Sequence, residues 1–105
     1  MLIFTAAASG EQHGYVDQWN ADGCFHYTGE GQVGNQEMKR GNAAILNHAK
    51  QARALRVFYG ARGVVEYAGE FEVDSEQPWY WADAPSTGGG RMRKVIVFRL
   101  RQIAD

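Results

Sequence analysis

Residues 93–101, RKVIVFRLR, are the most strand-like stretch of the chain. Successive side chains of a strand point to opposite faces, so the stretch divides into two alternating sets. These sets are Ile96, Phe98 and Leu100 on one face and Val95, Val97 and Arg99 on the other. The pattern predicts a strand near the C-terminal end of the chain.

Five further segments upstream are also predicted to be strands. They are Leu2–Thr5, Cys24–Thr28, Leu55–Tyr59, Val64–Val73 and Trp79–Trp81. Within Val64–Val73, the valines and aromatic residues at positions 65, 67, 71 and 73 are expected to share one face. Gly69 is expected to form a bulge or a point of close approach.

One helix stands out between the second and third of these segments. Asn42 is a suitable N-cap, and Ile45, Leu46, Ala49 and Ala52 follow it at helical spacing. The order β, β, α, β, β, β, β predicts a single α+β domain over the whole chain. We expect it to be built on a curved or closed β-sheet with one main helix.

Length and composition limit the class of protein. The chain has 105 residues, 45% of them hydrophobic and 12% aromatic, which suits one domain with a proper core. No apolar run approaches the roughly 20 residues that a membrane helix needs. The single cysteine, Cys24, excludes an internal disulfide and suits a reducing compartment, so we expect a cytoplasmic protein.

The formal net charge of −1 conceals four blocks of opposite sign. Residues 1–38 carry −5, residues 39–62 carry +6, residues 63–90 carry −6 and residues 91–101 carry +5. A nonspecific DNA-binding domain would be basic throughout, and a disordered tail would not sort its charges in this way. The pattern therefore indicates a folded domain with charged faces of opposite sign.

Residues 14–42, GYVDQWNADGCFHYTGEGQVGNQEMKRGN, are the densest cluster of unusual residues. Composition alone favours a β-hairpin with surface tyrosines and turn glycines. A metal site at Cys24, His26 and His13 is an alternative, although it lacks the paired spacing of zinc sites. A nucleophilic arrangement of Cys24, His26 and Asp17 is another, although neighbours on one strand seldom converge.

The same cluster resembles the SRA (SET and RING-associated) domain, in the compact form found in bacterial McrA-like restriction enzymes. Three pieces of sequence carry the resemblance: Tyr15-x-Asp17, the stretch Asp22–Gly31 (DGCFHYTGEG) and Gly41-Asn42-x-Ala44-Ile45. The match is detailed over residues 9–48 and looser over the later strands. It implies a PUA-like curved β-barrel with flanking helices.

The resemblance also implies recognition of a modified cytosine, 5-methylcytosine or 5-hydroxymethylcytosine, flipped out of double-stranded DNA. Tyr15 and Tyr27 would enclose the flipped base between their rings. Asp17 would accept a hydrogen bond from the exocyclic amine, which suits an acceptor-only carboxylate. Thr28, or its backbone, would contact the base edge near the 5-substituent. Neither a metal nor a cofactor is expected.

A second group of residues is expected to contact the DNA outside the base pocket. Cations that follow the predicted strand Cys24–Thr28 or the glycine-rich stretch Ser86–Gly90 would meet phosphates. Polar or apolar residues of the loop after Thr28 would fill the gap left by the base. The group comprises Gln32, Met38, Lys39, Arg40, Asn42, Arg91 and Arg93.

The chain shows no nuclease constellation of its own, so we expect a noncatalytic domain. The McrA-like resemblance implies that cleavage would be supplied by a fused or associated HNH nuclease domain of a modification-dependent restriction system. A PUA-like module that binds RNA or a nucleotide-like ligand is the alternative function. A small enzyme that uses Asp17 or Cys24 is a third hypothesis.

Overall fold

A computed structural model describes residues 1–5, 17–31, 34–61, 64–86 and 91–105. Within them are seven strands and one helix. They are β1 (Leu2–Thr5), β2 (Gln18–Trp19), β3 (Phe25–Thr28), α1 (Arg40–Leu46), β4 (Leu55–Ala61), β5 (Val64–Val73), β6 (Trp79–Pro85) and β7 (Met92–Ala104). The six predicted strands are present, and β4, β6 and β7 are longer than expected. The short strand β2 was not predicted. Among the described residues, no helix is long and apolar enough to span a membrane.

The seven strands form one sheet that is organised around the 13-residue strand β7. The strand order is β1-β4-β5-β7-β3-β2, and β6 pairs with β7 outside this path. Phe98 is the partner of both Tyr27 in β3 and Trp79 in β6, so these strands lie on opposite edges of β7. Leu100 pairs with Val73, which places β5 after β6 along the same edge.

The sheet curls until its two terminal strands meet. Thr5 at the end of β1 donates its hydroxyl to Asp17, which precedes β2, at 2.8 Å. Trp19 of β2 donates its indole N–H to the hydroxyl of Tyr59 in β4, also at 2.8 Å. The predicted α+β fold with a curved sheet and one helix is confirmed, and the sheet is curled rather than closed.

The bulge predicted at Gly69 is present. Val57 pairs with Gly69 whereas Phe58 pairs with Tyr67, so Ala68 is an extra residue in β5. Gly69 has φ +133°, and a Cβ there would lie 2.6 Å from the carbonyl oxygen of Ala104. Any side chain at this position would meet both steric and backbone strain.

This bulge corrects the prediction that four residues of β5 share one face. The extra residue reverses the facing of the strand, because side chains alternate with a period of two. Tyr67 therefore lies on the outer face beside Phe58, whereas Phe71 is buried on the inner face beside Leu55.

The main core fills the inner face of the sheet and is closed at one side by α1. It consists of Ile3, Phe25, Ile45, Leu55, Val57, Phe71, Ile96, Phe98 and Leu100. A second, smaller cluster on the other face of β7 holds Ala84, Val95 and Val97. The centre of β7 is thus buried on both faces, which explains why its sequence is an unbroken apolar run.

The helix differs from the prediction at both ends. It begins at Arg40, with Lys39 as an N-cap that makes no side-chain bond, and Asn42 lies inside its first turn. It ends at Leu46 because the following residues form a turn stabilised by His48, whose Nδ1 lies 2.8 Å from the carbonyl oxygen of Arg53. The backbone N–H of Val73 donates to Nε2 of the same ring. The histidine is therefore a satisfied core residue.

Candidate functional site

The carboxylate of Asp17 is held where β1, β2 and β3 converge. Its Oδ2 accepts the hydroxyl hydrogen of Thr5 at 2.8 Å, and its Oδ1 accepts the backbone N–H of Thr28 at 2.7 Å. Each oxygen keeps a further lone pair, because an ionised carboxylate has about four acceptor positions. The group is thus fixed in orientation and retains the capacity to accept another hydrogen bond.

Tyr27 lies beside this carboxylate. The pairing of Gln18 with His26, continued by one residue, places Asp17 opposite Tyr27 and on the same face. Burial, and then the negative charges of Asp17 and Glu30, raise the pKa of Tyr27 to about 12. The phenol is therefore neutral at physiological pH, and its ring packs against the edge of the main core.

The hydroxyl of Thr28 is buried and has no hydrogen-bond partner among the described residues. A buried polar group without a partner costs about 1–3 kcal/mol, so such groups are uncommon and call for an explanation. The same residue donates its backbone N–H to Asp17. Because Thr28 pairs with Val97, its hydroxyl lies on the face of β3 opposite Tyr27, so the residue meets Asp17 through its backbone only.

Two of the predicted site residues, Tyr15 and Gln32, lie outside the described residues. The structure therefore brings together Asp17, Tyr27 and Thr28 from the predicted base pocket. It also adds Thr5, which the sequence analysis missed. The alternation of Leu2–Thr5 was an available signal, since it places Ile3 and Thr5 on the buried face.

The segment after β3 is anchored to β7 by the buried side chain of Gln36. Its Nε2 donates to the carbonyl oxygens of Gly29 at 2.8 Å and Gly31 at 3.0 Å, while its Oε1 accepts the backbone N–H of Ile96 at 2.8 Å. The backbone N–H of Gln36 also donates to the carbonyl oxygen of Lys94. Gln36 therefore occupies the place of a strand residue beyond the end of β3.

Asn42 and Arg93 were predicted to contact DNA, and the structure gives them a different role. Asn42 is only 1% exposed and bonds through its side chain to the backbone of Glu30 and Glu37. Arg93 is 7% exposed, and its guanidinium donates to the carbonyl oxygens of Gly31, Gly34 and Pro85. Both side chains are used internally to hold the loop, and their contact with DNA stays a prediction.

Met38 is partly buried and packs against the main core. Lys39, Arg40 and Arg91 are exposed, as a phosphate contact requires. Lys39 forms an exposed ion pair with Glu37 at 2.8 Å. This pair lowers the pKa of Glu37 and raises that of Lys39.

An open pocket of about 360 Å³ lies between this loop and the start of α1. The residues that line it include Glu30, Gln36, Lys39 and Arg40. Arg40 has φ +49°, an uncommon conformation for a residue other than glycine. Lys39 and Arg40, which are predicted to contact phosphates, thus border a concave surface next to the end of β3.

A network of charges that the sequence analysis did not foresee lies on the outer side of β3 and β7. Arg99 donates to Asp22 at 3.1 Å and to Asp74 at 2.8 Å. The backbone N–H of Cys24, together with bonds from His26 and Arg99, lowers the pKa of Asp22 to about 2. The network joins the turn before β3 to the turn between β5 and β6.

The same network disfavours the metal and nucleophile alternatives. Both ring nitrogens of His26 are engaged, Nε2 with Asp22 at 2.8 Å and Nδ1 with the hydroxyl of Tyr80 at 2.7 Å. Burial raises the pKa of the Cys24 thiol, which opposes formation of a thiolate. Within the described part of the chain, no group of three or more His, Cys, Asp or Glu side chains could hold a metal.

Comparison with solved structures gives the same fold at low sequence identity. The SUVH5 SRA domain in complex with methylated CHH DNA matches with a TM-score of 0.59 and 22% identity, over 98% of this chain and 61% of that one. SUVH5 SRA bound to fully hydroxymethylated CG DNA matches at 21% identity, with a TM-score of 0.59, over 98% of this chain and 63% of that one.

KRYPTONITE in complex with mCHG DNA and SAH matches at 19% identity, with a TM-score of 0.58, over 98% of this chain and 22% of that one. The chain thus spans about three fifths of the length of the SUVH5 chains that it matches. A comparison with curated protein sequences gives no match.

The family itself is shown by a sequence profile that covers the whole chain. The profile of the ScoMcrA-like SRA domain matches residues 1–105. Because this match agrees with both the fold and the motif at residues 14–42, we conclude that the chain belongs to the ScoMcrA-like SRA domain family.

Proposed function

We propose that the chain binds double-stranded DNA containing modified cytosine and holds the modified base outside the helical stack. The observation that carries this proposal is the carboxylate of Asp17, oriented by Thr5 and by the backbone of Thr28 next to the ring of Tyr27. Cytosine presents an exocyclic amino donor, and an ionised carboxylate is an acceptor only. The pair suits recognition of this base.

The energetics support an aromatic pocket. Extracting a base from a duplex costs a few kcal/mol of unpairing and unstacking. Stacking on an aromatic face returns about 1–3 kcal/mol per base. Tyr27 supplies one such face, and we propose that Tyr15 supplies the second. Two faces roughly offset the cost of extraction, so the remaining affinity has to come from phosphates.

The substituent at position 5 contributes little by itself. Burial of a methyl group contributes about 0.8 kcal/mol, or roughly fourfold in affinity. We propose that both 5-methylcytosine and 5-hydroxymethylcytosine are accepted, with Thr28 contacting the base edge near the substituent. The backbone N–H of Thr28, which bonds to Asp17 at 2.7 Å, supports this placement of the residue beside the base edge. The SUVH5 SRA structures with methylated and hydroxymethylated DNA support the choice of ligand class.

We further propose that the domain is a noncatalytic reader in a cytoplasmic, modification-dependent restriction system. Cleavage would then be supplied by an HNH nuclease domain, fused to this chain or associated with it. The ScoMcrA-like family supports this assignment. Lys39, Arg40 and Arg91, which are exposed, would meet the phosphates around the pocket.

The test is a binding measurement with matched duplexes that carry cytosine, 5-methylcytosine or 5-hydroxymethylcytosine at one site. A 2-aminopurine next to the target base reports whether the cytosine leaves the stack. We expect tighter binding of the modified duplexes, a rise in fluorescence, and loss of both with Asp17→Ala or Tyr27→Ala. Asp83→Asn, which removes an equal charge from an exposed ion pair on β6, is the control.

Equal affinity for all three duplexes, unchanged by Asp17→Ala, would overturn the proposal. Preference for single-stranded RNA over every duplex would select the alternative function as an RNA-binding PUA-like module.

A further inference from the structure

The outer face of β1, β4 and β5 carries a row of aromatic rings. The ring centroids of Phe4 and Phe58 lie 5.1 Å apart in a stacked arrangement, and those of Phe58 and Tyr67 also lie 5.1 Å apart. The three residues are partners across adjacent strands. Phe4 is 56% exposed and Tyr67 is 46% exposed. We call these three residues the aromatic row.

The aromatic row belongs to a larger apolar surface. Leu2 lies on the same face of β1 as Phe4 and is 59% exposed. Val65 lies two residues before Tyr67 on the same face of β5 and is 53% exposed. Single exposed apolar residues are ordinary, but a contiguous patch across three strands marks an interaction site. The base pocket does not use this surface, because Thr5 lies on the buried face of β1 and Phe4 on the other.

Two opposite charges flank the aromatic row in a regular position. Arg56 in β4 and Glu70 in β5 are direct partners on the same outer face, and the pair Val57–Gly69 separates them from the row. The ion pairs among the described residues include neither of these side chains. A basic and an acidic group thus lie side by side next to the row without forming an ion pair together.

This arrangement is complementary to itself. Consider two copies that face each other through this surface, related by a two-fold axis that runs parallel to the strands, midway between β4 and β5. The axis places β4 of each copy over β5 of the other. It would bring Arg56 over the partner's Glu70 and Phe58 over the partner's Tyr67, and each contact would occur twice. Aligned sheets pack face to face at about 10 Å, which suits stacked rings, and such isologous interfaces are the commonest in homo-oligomers.

We propose that the aromatic row is the interface of a symmetric dimer formed by a second copy of this chain. The apolar rings exclude water at the centre, and the reciprocal Arg56–Glu70 pairs set the register. Because the pocket around Asp17 lies on the inner face, both copies keep their DNA-binding sites free. The inference is independent of the proposed function.

The test is analytical ultracentrifugation of the chain from micromolar to millimolar concentration. We expect a monomer–dimer equilibrium that Tyr67→Lys weakens by roughly tenfold or more, since buried aromatic residues dominate interface energetics. Met92→Lys, which alters another exposed apolar residue at the first position of β7, should leave the equilibrium unchanged. Circular dichroism and thermal unfolding of each variant establish that the fold is retained.

Charge reversal tests the register of the proposed dimer. Arg56→Glu and Glu70→Arg should each weaken association by about tenfold, and the double variant should restore it to within a few fold, because close charge pairs couple across an interface. A chain that remains monomeric at millimolar concentration would overturn the proposal. So would a dimer that is insensitive to Tyr67→Lys, or a double variant without recovery.

Discussion

The hydroxyl of Thr5 lies 2.8 Å from Oδ2 of Asp17, and this bond joins the first strand of the sheet to the start of the last strand in the spatial order. It links the curl of the sheet to the orientation of the carboxylate. Groups that hold a recognition side chain in one rotamer are as necessary as the side chain itself. Thr5 is therefore a positioning residue for the proposed base contact.

Thr5→Val keeps the shape of the residue and removes the hydroxyl. We expect the preference for modified over unmodified duplex to fall to near unity, with a loss of about 1 kcal/mol in stability. Thr5→Ser keeps the donor and should retain the preference. Fluorescence anisotropy with matched duplexes measures both variants. If Thr5→Val discriminates as well as the wild type, Asp17 does not depend on this bond.

Gln36→Glu replaces the amide that donates to Gly29 and Gly31 by a carboxylate that would face their carbonyl oxygens. We expect the free energy of unfolding to fall by roughly 1–3 kcal/mol, the usual cost of buried polar groups left without partners. Thermal unfolding at neutral pH measures the change. Gln51→Glu, at an exposed position, is the matched control. Equal melting temperatures for the two variants would contradict the anchoring role.

Gly69→Ala introduces a Cβ against the carbonyl oxygen of Ala104 at a residue with φ +133°. Gly23→Ala also changes a positive-φ glycine, at +83°, but its Cβ would meet nothing within 4 Å. Only Gly69→Ala adds a steric clash, so we expect it to lower the free energy of unfolding more than Gly23→Ala does. The expected loss for Gly69→Ala is roughly 1–3 kcal/mol. Chemical denaturation of both variants gives the comparison. Similar losses would mean that the bulge can relax.

Acid should destabilise the chain through Asp22. Its pKa is lowered from 3.8 to about 2 in the folded chain, so the ionised form stabilises the fold. This stabilisation is complete above about pH 4 and is lost as the pH falls towards 2. Asp22→Asn should melt lower at neutral pH and show a shallower decline between pH 4 and 2. Parallel pH profiles for variant and wild type would exclude this role of the network.

The exposed cations at the pocket rim should make binding depend on salt. Removing one phosphate contact lowers the slope of log affinity against log salt concentration by about 1. We expect this for Arg40→Gln, and a smaller effect for Lys39→Gln because Lys39 already pairs with Glu37. Lys50→Gln, an exposed cation in the turn after α1, should leave the slope unchanged. A common slope for all three would place the phosphates elsewhere.

Most of the fold could be predicted because its signals are local. The alternation in residues 93–101 identified the central strand, and the isolated glycine in β5 identified the bulge. The facing of β5 on either side of that bulge could not be predicted, since it depends on which residue is left unpaired against β4. The helix boundaries were also missed, because Asn42 has a good capping side chain that is used instead by the loop before the helix.

The candidate site was predictable in part for a similar reason. The motif that contains Asp17, Tyr27 and Thr28 is short in sequence, and these residues meet at the ends of paired strands. The loop cations are different, because an arginine that meets a phosphate and an arginine that binds carbonyl groups are alike in sequence. Only burial distinguishes Arg93 from Arg40, and burial depends on contacts across the sheet that the local sequence does not reveal.

The use of Gln36 as a substitute strand residue has a consequence for how this domain can diversify. Its side chain bonds to Gly29 and Gly31 before the segment and to Ile96 of β7. The chain is therefore held at Gly31 and again at Gln36, whatever the length of the segment between these two residues. Residues could be inserted between Gly31 and Gly34 without disturbing the pocket or the core. This position is therefore the natural place at which to graft a longer groove-reading segment and change the sequence context that the domain prefers.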